Sequence, residues 1–403
     1  MTPASLPAAF VSVGTGLGGS ERVLLELAAR LPAHGVTPTV VLPKSGPLGE
    51  ALLAAGVPVV VAPAPERLLA LSQRTQALGG DAVGLIRGLA AWARAIRAAL
   101  PPDIRVLHSN GFKAHLACAL VRGDGMRRVW HLHEFPPPRV GPLWRLLAAA
   151  LPHVTVANSR AVAAAWRIPG ATPEVILNGV DLERFRPAPR TGWIHQSLAL
   201  PGDARLIGMP AVFARWKGQI PVVEAFERAA ARVPDAHLVI AGGPIYDTVA
   251  ERGYAEELVR RVGRASLPGV APAAGGGAPA RLGDRIHFLK FQAEPWRLYP
   301  ECDLVVHYST RPEPFGRVIV ESLACGVPVV AARAGGPLEI VEHGTSGWLV
   351  APNDPAALAE ALVGAMAADL APLRRAARAR AQAAFSADRQ AAEVAALLHR
   401  IAG

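Results

Sequence analysis

Cysteine is nearly absent from this chain of 403 residues: Cys118, Cys302 and Cys325 are the only three, far apart and each in an apolar run. An odd, scattered set excludes a disulfide framework and offers no metal-ligand spacing, so a reducing cytoplasm is the expected compartment. Aromatic residues are scarce too, at 5% of a chain that is 51% hydrophobic. The interior must therefore be built from Ala, Leu and Val, as when helices cover a parallel sheet. No uninterrupted apolar run reaches the roughly 20 residues that span a bilayer. The opening Met1-Thr-Pro-Ala-Ser-Leu-Pro has no basic region ahead of its apolar run, and Gly14 to Gly19 interrupts that run, which argues against a signal peptide.

Acidic residues are short in one half only. Residues 1–195 hold 20 Lys and Arg against 11 Asp and Glu, a net +9, whereas 196–403 hold 22 against 21. Such a field suits an anionic membrane, a phosphorylated acceptor or nucleic acid, or it reflects an arginine-rich composition with no target. No nucleic-acid module accompanies the charge, and a nucleic-acid partner is not expected.

The chain is too long for one core, and its apolar runs alternate with helical stretches. Strands are expected at Ala8–Val13, Thr37–Leu42, Val57–Ala62, Ile104–His108, Val129–His133 and Val154–Ala157. A second series follows at Leu206–Met209, His237–Ala241, Ile286–Leu289, Leu304–His307, Val327–Ala332 and Gly347–Val350. Helical spacing fills Ser20 to Leu31, Gly84 to Leu100 and Ala114 to Arg122. Two doubly wound Rossmann-like α/β domains facing across a cleft are implied, with a linker over Arg186 to Gly192. The expected boundaries are 1–190, 191–380 and a C-terminal helix over 381–403 that returns to the first domain. The low-complexity stretch Ser266 to Ala280 reads as a mobile surface insertion, and the arginines of the Ala-rich end, from Leu373 to Ile401, as a solvated face or part of the basic surface.

The chemistry concentrates in Arg311-Pro-Glu-Pro-Phe-Gly-Arg-Val-Ile-Val-Glu321. Pro314 and Gly316 break regular structure and Phe315 to Cys325 has helical spacing, so Glu313 precedes a helix and Glu321 lies inside it. The N–H groups near Gly316, Arg317 and Val318, at the positive end of that helix, suit a diphosphate flanked by two hydroxyl acceptors. A nucleotide-sugar has that form; a loop carboxylate with a solvated helix glutamate is the plain alternative. Phe213-Ala-Arg215-Trp-Lys217-Gly218 follows the first strand of the second half, where Lys217 and Arg215 would neutralise a departing diphosphate. In the first half, Gly14-Thr-Gly-Leu-Gly18-Gly19-Ser20 lets a ligand approach the backbone, with Ser20 as helix cap. No acidic residue ends the next strand, which disfavours a nicotinamide cofactor. His131-Leu-His133-Glu134 ends a strand, where ligands bind in open α/β sheets. His133 is the functional candidate, and with no third ligand in reach no metal is expected.

Taken together these residues resemble the group 1 glycosyltransferases of the GT-B fold. The resemblance covers nearly the whole chain and rests on Gly18-Gly19, His108-Ser-Asn110, His133-Glu134, Asn158-Ser159, Asn178-Gly-Val-Asp181 with Phe185, Lys217-Gly218, Gly242-Gly243, Glu313 to Glu321, and Gly335-Gly336. It implies a retaining, metal-independent enzyme without a cofactor that uses a UDP- or GDP-linked sugar. Glu313 would bond the transferred sugar, Glu321 the ribose, Gly316 to Val318 the diphosphate, Lys217 the leaving phosphate, and His133 the sugar side of the reaction centre. The implied acceptor is a glycan or lipid-linked hydroxyl, in polysaccharide or lipopolysaccharide synthesis at the inner membrane face, with peripheral contact to an anionic membrane. Where the family usually has Gly-Arg-Phe this chain has Ala211-Val212-Phe213, so one cation is missing and Arg215 is the substitute at hand. Leu177 and Lys290 also depart from the pattern. A catalytically impaired nucleotide-sugar-binding protein and a sugar epimerase of the same fold remain alternatives.

Overall fold

A computed structural model describes residues 5–70, 82–123, 125–138, 140–243, 253–263 and 283–403. The Ser266 to Ala280 stretch lies outside them. The chain divides into two compact units, Met1–Asp181 with Phe385–Gly403, and Leu182–Ala384. These divisions fall at 181/182 and 384/385, against the 190/191 and 380/381 read from the sequence.

The first unit is built on a parallel sheet of seven strands: β1 (Leu6–Ser12), β2 (Val36–Leu42), β3 (Val59–Val61), β4 (Val106–Asn110), β5 (Arg127–Leu132), β6 (Val154–Ala157) and β7 (Glu174–Val175). Their order is β3-β2-β1-β4-β5-β6-β7. β1 is buried along almost its whole length because helices cover both faces, which is why it reads as a continuous apolar run. The C-terminal helix Ala387–Ala402 packs its Val394, Leu397 and Leu398 into the same core as Phe10, Leu24 and Leu27. Asn178 and Gly179 hold it: Gly179 N–H donates to Gln390 Oε1 at 2.9 Å, Gln390 Nε2 donates to Asn178 Oδ1 at 3.2 Å, and a Cβ at Gly179 would strike the Ser386 carbonyl at 2.4 Å. Asp181 pairs with Arg30 at 3.0 Å. The Asn178-Gly-Val-Asp181 motif thus fastens a helix, a structural role.

The second unit has six parallel strands, β8 (Arg205–Pro210), β9 (Ala236–Ala241), β10 (Ile286–Leu289), β11 (Leu304–His307), β12 (Val329–Ala332) and β13 (Gly347–Val350). Their order is β10-β9-β8-β11-β12-β13. Both sheets reverse direction of winding once, between β1 and β4 and between β8 and β11. At such a switch point the loops after adjacent strands part and leave a crevice at the carboxyl ends, where ligands bind. Except for His133, which follows the neighbouring β5, the sequence-derived candidates lie in those loops or in the helices they open. Among the described residues no single helix is long and apolar enough to cross a membrane.

Candidate functional site

In the second unit the loops after β8 and β11 converge. Gly218 closes the first loop at φ +76°, and a Cβ there would meet the Tyr308 carbonyl at 2.0 Å, so only glycine lets the two loops approach this closely. The Trp216 carbonyl accepts from Thr310 N–H at 2.8 Å, fixing the register between the loops. Across this junction Lys217 Nζ donates to Glu313 Oε2 at 2.9 Å, with Lys217 over the Trp216 ring at 3.9 Å. Ser309 Oγ donates to the same oxygen at 2.7 Å, and His307 Nε2 lies 3.5 Å from it. Burial alone would push the Glu313 carboxyl up. The Lys217 ammonium and His307 outweigh it and hold the group well below the usual carboxylate range. Glu313 is thus a desolvated anion with its charge pinned.

The Glu313 backbone is equally constrained. Gly336 N–H donates to its carbonyl at 2.8 Å, its own N–H donates to Ala334 O at 3.2 Å, and a Cβ on Gly335, at φ +77°, would overlap the Glu313 carbonyl at 2.2 Å. The Gly335-Gly336 pair is therefore the clamp on Glu313. Three residues on, Gly316 at φ +102° turns the chain into helix Arg317–Ala324. That helix is shorter than the expected Phe315 to Cys325 because the left-handed Gly316 ends helical geometry on its N-terminal side. The Gly316 carbonyl accepts from Ile319 N–H at 2.9 Å as the helix begins, and the aligned peptide dipoles give this end an electropositive start. One turn in, Glu321 accepts from Arg317 Nε at 2.7 Å and from the Tyr299 hydroxyl at 2.6 Å, and is buried. Burial and then the Glu321 charge push the Tyr299 hydroxyl well up, so it stays a donor.

Arg215 is placed elsewhere in the same loop. It pairs with Glu257 at 2.5 Å and covers the Tyr254 ring at 5.0 Å, half-exposed, on helix Tyr254–Val262. The structure brings Lys217 and Glu313 together, and Arg317 and Glu321 together, while the partners of Glu313 do not include Arg215.

In the first unit, the loops after β1, β4 and β5 line a cavity of about 390 Å³ that includes Ser20, Glu21, Lys44, Asn110, Lys113 and His133. Gly18 and Gly19 open helix Gly19–Arg30, and Gly18 is its N-cap, which corrects the expectation that Ser20 caps it: the helix starts one residue earlier. The Glu21 carboxylate rests over the loop, 2.6 Å from where a Cβ on Gly18 would lie. His133 follows β5, with its Nε2 2.9 Å from Asn110 Oδ1 and its ring stacked on His131 at 4.3 Å. Burial lowers His133 to about 4, so its imidazole is neutral at pH 7 and one ring nitrogen is left as acceptor. His131 and His108 extend this row into the core, both also lowered by burial, and neither ring nitrogen of His131 meets a partner among the described residues.

Sequence reasoning missed Ser309, His307 and Tyr299 as supports, and quoted Asn110 in its motif without foreseeing its contact with His133. His307 and Ser309 carried a signal, since the first ends β11 at the switch point and the second lies in the loop that follows; Tyr299 carried none.

Known proteins identify the family. The family model "Glycosyltransferase Family 4" matches residues 17–184, and "Glycosyl transferases group 1" matches residues 278–383. D-inositol 3-phosphate glycosyltransferase 1 of Catenulispora acidiphila is 30% identical over 380 residues, covering 87% of this chain and 82% of that protein. D-inositol 3-phosphate glycosyltransferase 2 of the same organism is 34% identical over 209 residues, a segment spanning only 44% of its length. The crystal structure of Anabaena HepE in complex with UDP and glucose superposes with a TM-score of 0.77 at 27% identity, covering 97% of this chain and 99% of that one. Sucrose-phosphate synthase of Thermosynechococcus elongatus, at 21% identity and a TM-score of 0.75, shares the fold. With one such relative matched over most of its length, and one family model matching within each unit, the chain belongs to the group 1 glycosyltransferases.

Proposed function

We propose that the chain transfers a hexosyl group from a UDP- or GDP-linked donor to a hydroxyl of a glycan or lipid-linked acceptor, with retention at the anomeric carbon. The observation that carries this reading is the Lys217–Glu313 pair at 2.9 Å, set before a helix that starts at Gly316 and carries the buried Glu321. Glu321 accepts from ribose hydroxyls and the N–H groups from Gly316 to Val318 receive the diphosphate. When donor binds, Lys217 shares its charge between Glu313 and the phosphate whose bond to C1 breaks, and Glu313 accepts from a hydroxyl of the transferred sugar. The acceptor oxygen bonds C1 on the face the diphosphate leaves, and its proton passes to the departing phosphate oxygen. No metal or cofactor takes part, because Lys217 and the helix start supply the positive charge. Arg215 is the second cation: its pair with Glu257 is half-exposed, so exchanging that partner for a phosphate costs about 0–1 kcal/mol. That HepE was crystallised with UDP and glucose supports a UDP-linked donor.

The first unit is the proposed acceptor side, with His133 serving the reacting sugar and acceptor hydroxyls. A lipid-linked acceptor implies work at the inner face of an anionic membrane, in cell-surface polysaccharide or lipopolysaccharide synthesis. A second reading of the acceptor, a small phosphorylated polyol, is favoured by Lys44 and Lys113 in the cavity beside His133 and by the names of the D-inositol 3-phosphate relatives. The test is transfer from UDP- and GDP-sugars to inositol 3-phosphate and to lipid-linked acceptors. Glu313→Gln and Lys217→Met should lose transfer while remaining folded; near-normal turnover in either variant would sink the assignment.

A further inference from the structure

We propose that helix Gly141–Ala150 of the first unit is a docking surface for an anionic lipid bilayer. The inference deepens the lipid-linked reading of the acceptor and rests on it for its purpose. The helix reads Gly-Pro-Leu-Trp-Arg-Leu-Leu-Ala-Ala-Ala, with one charged residue in ten. A helix apolar on every side belongs in a core. This one buries a single face, on which Trp144 and Ala148 pack with Phe112, Trp130 and Trp166. The other face offers Leu143 at 45% and Leu146 at 58% exposure, and Leu151, just beyond the helix, at 37%. Leu143, Leu146 and the exposed Ala150 recur at i, i+3 and i+7, which makes one continuous stripe. Ten residues span about 15 Å, too short to cross a bilayer and suited to lying in its interface.

The charge around the stripe selects the occupant. Residues 104–173 carry nine Lys and Arg against two carboxylates, Asp124 and Glu134, a net +7. Hydrogen bonds bring part of this charge to the carboxyl end of the helix. His153, in the turn that follows it, accepts at Nδ1 from Arg128 N–H at 3.1 Å and donates its own N–H to the Arg128 carbonyl at 2.9 Å. The Arg128 guanidinium in turn donates to the carbonyls of Cys118 and Val121, where helix Phe112–Leu120 ends with Leu120 48% exposed. Two leucine-bearing helix ends and Arg122, Arg127 and Arg128 thus share one edge of the unit. Arg122, Arg127 and Arg145 have no carboxylate partner among the described residues. Arg139, also in this segment, lies outside the described residues. Exposed leucines beside unneutralised arginines match an anionic lipid interface in both of its attractions. A second copy of the chain fits poorly, since two like-charged segments would face each other and one ten-residue stripe falls short of the roughly 800 Å² per partner of a stable dimer.

The test is flotation of the full chain with vesicles of phosphatidylglycerol mixed with phosphatidylcholine, and with phosphatidylcholine alone, alongside its UDP-induced thermal shift. The wild type should float with the anionic vesicles only. Leu143→Glu with Leu146→Glu should lower partition at least tenfold at any salt. Arg122→Glu with Arg127→Glu should lower it by about fivefold or more per arginine at low salt. Both variants should keep the UDP shift, which shows that they fold. Failure of the wild type to float, or full flotation of the leucine variant, would overturn the docking surface. So would a dimer in solution that Leu146→Glu dissociates without any vesicle binding. If the vesicles bind and UDP does not, the transferase reading fails and the docking surface stands.

Discussion

Replacing Lys217 with Met isolates the electrostatics on which the proposed donor site depends. The Lys217 and Glu313 side chains are 16% and 10% exposed and 2.9 Å apart, so the substitution strands a desolvated carboxylate. Breaking a fully buried pair by removing one partner costs about 3–5 kcal/mol. Here Ser309 and His307 still satisfy the carboxylate, and we expect about 2–3 kcal/mol. For a unit of about 200 residues that lowers the melting midpoint by roughly 5–10 °C. The pH dependence gives the cause a signature. In the wild type the Glu313 carboxyl lies below its ordinary range, so its stabilisation is complete above that range and lost as pH falls through and below it. Without Lys217 the burial that pushes the carboxyl up goes unopposed, and protonation then relieves a cost. The deficit of the variant should therefore be largest at neutral pH and shrink towards about pH 4. Adding Glu313→Gln to Lys217→Met removes the stranded charge and should recover most of the midpoint, while transfer stays lost. Differential scanning fluorimetry or calorimetry across pH reads all three. A single variant melting within about 1 °C of the wild type at pH 7, or a deficit that grows in acid, would refute the reasoning.

Gly335→Ala should cost roughly 1–3 kcal/mol by forcing a left-handed residue against the Glu313 carbonyl, and should weaken UDP binding in a calorimetric titration. Arg215→Ala should lower kcat/KM by about 10² or more as a lost second cation, with its melting midpoint nearly unchanged because the Glu257 pair is half-exposed. The buried histidines bind fewer protons folded than unfolded, so their contribution is present above about pH 6.5 and declines as pH falls towards 4. His131→Phe removes one of them and two unpartnered ring nitrogens, and should raise the midpoint more at pH 5 than at pH 8.

Strands at Val154–Ala157, Ile286–Leu289, Leu304–His307 and Gly347–Val350 were legible to the residue, because each is a β-rich run that turn residues bound tightly. β7 was not: Glu174 and Val175 are both exposed and leave no apolar pattern. The glutamates were legible from the broken turn before a helix, yet the pairing of Glu313 with Lys217, 96 residues away, follows only from the parallel order of β8 and β11. Arg215 lies two residues before Lys217, in a turn of three residues per revolution that sends the two side chains in different directions. Tyr299 reaches Glu321 from a short 3₁₀ turn whose sequence carries no sign of a ligand.

The most direct test of the central claim is a thermal-shift panel of UDP, GDP, ADP and their sugar conjugates on the wild type and Glu321→Gln. One nucleotide should stabilise the wild type, by about 2.7 kcal/mol at a hundred times its Kd, and that shift should be lost in the variant. No shift of the wild type with any of them, or an undiminished shift in Glu321→Gln, would contradict the assignment of Glu321 and the helix at Gly316 to the donor.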